Sequence, residues 1–231
     1  MSTCIAIVKK TGHVCTKISK TGSEYCGIHG PKTPREKAVV DLATPAVVRA
    51  LYKAFVADET AMAEIEASAP DLHVRRYGMR MELSENMVKF AIKSSGDDSC
   101  TWGCKVGDLR STVEGVQEVK SVTAIDSPTS FGPTQPWNVI YFLDASNWRD
   151  DLFIIYRIPL PNTHPFWKTL PMNKKETKGD QSDSKRRPRT VWNTTIKPLL
   201  AEQFPEFVTT PFYSGTFEGI FSPPPAVAPI A

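Results

Sequence analysis

The chain has 231 residues, of which 41% are hydrophobic and 23% charged, and a formal net charge of +3. That length holds one ordinary domain plus a small accessory module, and the composition is that of a soluble globular protein. No apolar run approaches the ~20 residues that cross a bilayer, so a membrane-spanning role is excluded and no membrane partner is expected. The apolar stretch in "MSTCIAIVKKTG" is too short for a signal-peptide core and has its lysines on the wrong side. An intracellular location is therefore expected, cytoplasmic or within a virus-infected host cell, with the nucleus left open. The charge is unevenly spread: residues 1–35 carry six Lys/Arg against one acid, residues 173–190 carry seven against three, and the remainder sums to −6. Two basic segments on an acidic body point to a polyanionic partner, because phosphate neutralisation is the main sequence-independent source of nucleic-acid affinity. Solvated lysine-rich loops are the competing explanation.

In chain order, the first segment places Cys4, Cys15, Cys26 and His29 at spacings C-x10-C-x10-C-x2-H. Four thiol or imidazole ligands are what tetrahedral Zn²⁺ takes, and a small repeat, Lys-Thr-Gly at residues 10–12 and 20–22, precedes two of them. The segment is too short and polar for a core of its own, so the zinc would be structural and would supply the folding energy. Three cysteines and a histidine make an odd set for disulfides. The segment resembles short Cys3His modules over residues 4–29. Cys100 and Cys104, in "CTWGC", have no further ligands nearby and read as reduced structural thiols.

After the proline-punctuated "PKTPREKA", Thr44 and Pro45 have the form of an N-cap and first helical residue. Val48, Leu51, Tyr52, Phe55, Met62 and Ile65 then recur at helical spacing to about Ala67. Arg49 and Lys53 on that helix suit either a phosphate or plain solvent. A second helix is expected from Ser84, as cap, to about Lys93, with Met87, Val88, Phe90, Ala91 and Ile92 buried and Glu82 and Glu85 at its start. A hairpin follows, with strands near Lys105–Thr112 and Val116–Ile125 and a turn at Glu114-Gly115. "NVIYFLDAS" and "DLFIIYRIPL" read as strands buried on both faces. The C-terminal part reads as a basic loop, a helix from about Val191 to Gln203, and an extended or disordered tail, "SPPPAVAPIA".

Within the hairpin, Glu118 and Lys120 are two apart on one strand and share a face, and Asp108 lies on the strand before them, giving Asp-x9-Glu-x-Lys. Two converging carboxylates form a hard-oxygen site for Mg²⁺, and a lysine beside them is placed to orient a water and offset phosphate charge. That is the equipment of phosphodiester hydrolysis. A surface salt bridge between Glu118 and Lys120 is the alternative, and it predicts a sheet with one solvated face.

On "GDL" at Gly107–Leu109 and "QEVK" at Gln117–Lys120, the sequence resembles the PD-(D/E)XK nuclease superfamily, in particular type II restriction endonucleases, over residues 76–205. Gly107 stands where that pattern has proline. The resemblance implies an α/β fold with a restriction-endonuclease-like core: helix, β-hairpin and further strands in a mixed sheet flanked by helices, here preceded by the small zinc-binding module. The expected organisation is residues 1–30 for that module, 31–75 for a linker and amphipathic helix, 76–222 for the nuclease domain and 223–231 for the tail. The resemblance further implies Asp108 and Glu118 as Mg²⁺ ligands, Lys120 beside the attacking water, and Glu82 or Glu85 as an added helix carboxylate, although helix capping explains either acid as well. It implies 5′-phosphate and 3′-hydroxyl products. A homodimer on double-stranded DNA is expected, since cutting both strands calls for two sites.

Ser130, Thr134, Gln135 and Asn138, in and just after the Pro/Ser/Thr-rich loop 127–136, are candidate DNA contacts, with Phe131 and Trp137 as its core anchors. In "NKKETKGDQSDSKRRPRT", Lys185, Arg186, Arg187 and Arg189 are candidate phosphate or guanine contacts, and also fit a nuclear localisation signal. Two alternatives stay open: a structure-specific repair or junction nuclease, and a non-catalytic zinc-containing DNA-binding protein.

Overall fold

A computed structural model describes residues 43–72, 78–104 and 106–222. The chain divides into two units, Met1–Val40 and Asp41–Ala231, and all described residues belong to the second. The expected zinc ligands Cys4, Cys15, Cys26 and His29 and the tail from residue 223 lie outside the described residues.

Helix α1 spans Pro45–Ser68, with Thr44 as N-cap accepting a hydrogen bond from the Val47 N–H. Pro45 occupies the first turn, where its missing N–H costs nothing. Helix α2 spans Met81–Ser94, a turn longer at its start than the sequence predicts. Ser84 is therefore not its cap. It is buried inside the helix, where its hydroxyl donates to the Met81 carbonyl at 3.2 Å. The reason is packing: starting at Met81 brings Leu83 onto the stripe of Met87, Val88, Ala91 and Ile92, which meets Val48 and Phe55 of α1. Phe90 is only half-buried, against that stripe's edge.

The strands are β1 (Thr101–Trp102), β2 (Leu109–Ser111), β3 (Gly115–Val122), β4 (Pro128–Ser130), β5 (Val139–Asn147), β6 (Leu152–Ile158), β7 (Arg189–Val191) and β8 (Tyr213–Gly215), so both hairpin strands are shorter than predicted. The later helices are α3 (Pro165–Thr169), α4 (Lys178–Asp183), α5 (Lys197–Gln203) and α6 (Glu206–Thr209). Six strands make a mixed sheet in the order β1-β2-β3-β5-β6-β8, antiparallel throughout except between β3 and β5. Parallel neighbours need a crossover of a dozen or more residues, usually helical. Here the crossover is residues 123–138, whose three prolines rule out a helix, and it carries β4 instead. β4 pairs with β7 as a separate two-stranded ribbon.

Alternation along β5 builds two cores. Val139, Tyr141 and Leu143 face α1 and α2 together with Val119, Phe153 and Ile155. Ile140 and Phe142 face the other way, into Trp137, Trp167, Trp192 and Ile158. The sheet is covered on both faces, as the apolar runs predict. The predicted helix from Val191 begins instead as strand β7, passes through a π-helical turn, Trp192–Ile196, and becomes α-helical only at Lys197. Pro198 explains the wide turn, because it has no N–H to donate back along a regular helix. The predicted basic loop likewise contains α4, with Thr177 and Asp180 forming a reciprocal capping box.

Trp192 is fully buried and stacks on Phe142 with ring centres 4.0 Å apart. Trp192→Ala should therefore cost about 3–5 kcal/mol in urea denaturation. A loss below ~1 kcal/mol would contradict this core.

Candidate active site

β2 and β3 pair as far as Leu109 opposite Gln117, and Asp108 stands just before that ladder, close enough to Glu118 for their carboxyl groups to interact. Glu118 and Lys120 share a sheet face by alternation along β3. Asp108 is anchored at both ends: its N–H donates to the Gln117 carbonyl at 3.0 Å, and its Oδ2 accepts from the Val119 N–H at 2.8 Å. Gly107 explains the departure from proline at this place. Its φ is +76°, and a Cβ there would stand 2.5 Å from Val116 Cγ1 and 2.9 Å from the Gln117 carbonyl. Proline, locked near −65°, cannot make that turn, and glycine can.

Glu118 is 1% exposed and Lys120 17%. Lys120 Nζ pairs with Glu118 Oε1, and Gln135 Nε2 donates to Oε2 at 2.6 Å. Burial raises the Glu118 pKa, Lys120 opposes the rise, and the Asp108 carboxylate adds to it. An exposed salt bridge on a solvated sheet face does not describe this pair.

From α2, Glu85 comes close enough to feel Asp108, Lys120 and Glu118, whereas Glu82 is exposed in the first turn. Burial first, and Asp108 next, push the Glu85 carboxyl up to about 7. Its Oε2 is held by Trp102 Nε1 at 2.6 Å. Among the described residues no group of three or more His, Cys, Asp or Glu side chains is spaced to hold a metal. The site is thus an acid pair, Asp108 and Glu118, with Glu85 beside it. One ammonium offsets only part of this negative charge, and crowded carboxylate oxygens of that kind suit a hard cation such as Mg²⁺, which needs few protein ligands. Cys100 and Cys104 are free; burial raises the Cys100 thiol to about 12, leaving it inert.

The candidate DNA contacts fall into two sets. In the crossover, Gln135 is committed to Glu118, and Asn138 Oδ1 to the Val116 N–H at 2.9 Å. Ser130 Oγ is buried without a hydrogen-bond partner among the described residues, and Thr134 is exposed. Phe131 and Trp137 are buried anchors as expected. In the basic segment, Arg186 is paired with Glu176, while Lys185, Arg187 and Arg189 are exposed and without ion pairs among the described residues. The β4–β7 ribbon joins the two sets, with Ser130 opposite Arg189 and the Phe131 N–H donating to the Pro188 carbonyl at 2.9 Å. Arg49 on α1 is occupied by Glu218 at 2.7 Å, and Lys53 is exposed. The committed role of Gln135 has no local signature in the sequence.

Residues 50–198 match a family model described as Bsp6I restriction endonuclease. No curated protein and no solved structure matches the chain significantly.

The raised Glu85 carboxyl has a measurable consequence. A folded-state pKa near 7 against an ordinary value near 4.5 means that the folded protein holds this proton more tightly. The stability of the wild type relative to Glu85→Gln should fall between about pH 4.5 and 7 in metal-free buffer, then level off. Parallel urea midpoints across that range would contradict the shift.

Proposed function

The chain belongs to the Bsp6I restriction endonuclease family, and from that premise we propose that it is a Mg²⁺-dependent type II restriction endonuclease acting on double-stranded DNA. The observation that carries this reading is the convergence of Asp108, Glu118 and Lys120 in one water-poor corner of the sheet. Asp108 and Glu118 would hold the ion. Mg²⁺, when bound, supplies positive charge against the scissile phosphate and brings water and phosphate together. Lys120, partly exposed, donates to the incoming water and to a phosphate oxygen, and Glu118 keeps its ammonium in place. Water adds to phosphorus in line with the departing 3′ oxygen, the P–O3′ bond breaks, and proton exchange with solvent leaves a 5′-phosphate and a 3′-hydroxyl.

The β4–β7 ribbon is the proposed DNA-contacting element. Its β4 belongs to the crossover that touches Glu118, and its β7 side carries exposed Lys185, Arg187 and Arg189. Two such chains, as a homodimer, would supply the two sites that a double-strand cut requires. Cys4, Cys15, Cys26 and His29 are proposed, on their spacing, to hold a structural Zn²⁺.

Digestion of plasmid DNA with Mg²⁺ should give discrete fragments. A smear would favour structure-specific cleavage, and intact DNA a binding protein. Lys120→Ala and Asp108→Ala should each abolish cleavage while DNA binding persists; retained cleavage by purified Lys120→Ala protein would refute the assignment. Neutralising Lys185, Arg187 and Arg189 should flatten the salt dependence of binding by roughly 0.9 in log-log slope per lost contact. Arg186, already paired with Glu176, should matter less. An unchanged slope would assign these charges to solubility.

A further inference from the structure

Glu118 is gripped from two sides, and the second grip leads away from the sheet. Gln135 Nε2 donates to Glu118 Oε2 at 2.6 Å, while the Gln135 backbone carbonyl accepts from Asn162 Nδ2 at 2.7 Å. Asn162 Oδ1 in turn accepts from Lys178 Nζ at 2.7 Å, and the Asn162 N–H donates to the Trp137 carbonyl at 3.0 Å. Lys178 is 4% exposed, and among the described residues no carboxylate pairs with it. Its ammonium lies 5.1 Å from the Trp137 ring centre and 5.7 Å from that of Phe131, the two aromatics that anchor the crossover on either side of Gln135. Burial alone lowers its pKa to about 8. Gly132 completes the arrangement, since a Cβ there would stand 2.7 Å from Gln135 Oε1 and 2.9 Å from its Cβ. The loop is shaped around the glutamine.

A buried lysine without an acid is costly to fold, and an apolar side chain of similar volume is often more stable. A use beyond stability accounts for it. The plane of a glutamate carboxylate turns through a broad torsional well, so a fixed donor to one oxygen decides where the remaining lone pairs point. We propose that Gln135 is a positioning residue that orients the Glu118 carboxylate toward the metal, and that Lys178 and Asn162 form the brace that sets Gln135. This rests on the nuclease reading above. It also moves Gln135 from the DNA-contacting set to the support of the metal site.

The test uses the full chain and Mn²⁺, with binding followed by the electron paramagnetic resonance of the free ion. Binding is assigned to this site by its loss in Asp108→Ala. Gln135→Met, similar in length but without the donor, should weaken Mn²⁺ binding by about 10- to 100-fold and lower single-turnover cleavage to match, with a lower melting temperature because Glu118 Oε2 loses its donor. Lys178→Met should keep or raise the melting temperature, because a buried charge is removed, and still weaken Mn²⁺ binding several-fold. A lysine serving only stability predicts the reverse pairing. Mn²⁺ binding within twofold of wild type in both variants, or no site-assigned binding in the wild type, would overturn the proposal. Absence of DNA cleavage by the wild type would instead refute the nuclease reading, while the Mn²⁺ comparison would still decide the role of Gln135.

Discussion

A carboxylate buried at 1% exposure in the middle of a sheet is the constraint around which this molecule is arranged. Charge without water is costly, and a second acid, Asp108, stands close enough to Glu118 to raise its pKa further. Two donors meet Glu118, one on each oxygen: the Lys120 ammonium from its own strand and the Gln135 amide from the crossover. The burial and the Asp108 charge still win, since the Glu118 pKa stays raised. A pair of crowded acids with too little compensating charge is poor for stability and well suited to a divalent cation.

The topology serves the same corner. Running β3 and β5 parallel forces the chain to travel the length of the sheet between them, and that return segment is used twice. Its far end, held by Phe131 and Trp137 in the second core, delivers Gln135 to Glu118. Its near end pairs as β4 with β7 and so ties the arginine-rich segment to the site. Helix α2, pressed against the opposite face by Leu83, Met87 and Val88, brings Glu85 to the edge of the acid pair, where Trp102 holds it. Stability sits in the aromatic and aliphatic cores, and the acid pair sits at β3 between the helix α2 side and the crossover.

The parts of this site that local rules encode were legible in the sequence. The hairpin follows from alternation and a glycine-marked turn, and it brings Asp108 near Glu118 and Lys120. Helix α1 follows from the Thr44-Pro45 start, and β5 and β6 from their unbroken apolar runs. What was not legible depends on contacts distant in the chain. Gln135 looks like any loop amide until the crossover folds back over β3. The ribbon strands β4 and β7 are three residues each, and on their own read as turn chemistry. Ser84 has the local preference of a cap, and the burial of Leu83 overrides it. The capping box of Thr177 and Asp180 is visible in the Thr-x-x-Asp spacing, although the segment as a whole reads as a basic loop. Nothing local separates Lys178 from the other basic residues of the 173–190 segment, yet the fold buries it.

The central claim is that Asp108 and Glu118 hold a cation against a DNA phosphate beside Lys120. A crystal structure of the full chain with duplex DNA and Ca²⁺, a hard cation that takes oxygen ligands, tests it most directly. The account predicts an ion about 2.3–2.6 Å from carboxylate oxygens of Asp108 and Glu118 and from one phosphate oxygen, with Lys120 facing the same phosphate. DNA bound on another face, or an ion held elsewhere with the Glu118–Lys120 pair untouched, would contradict it.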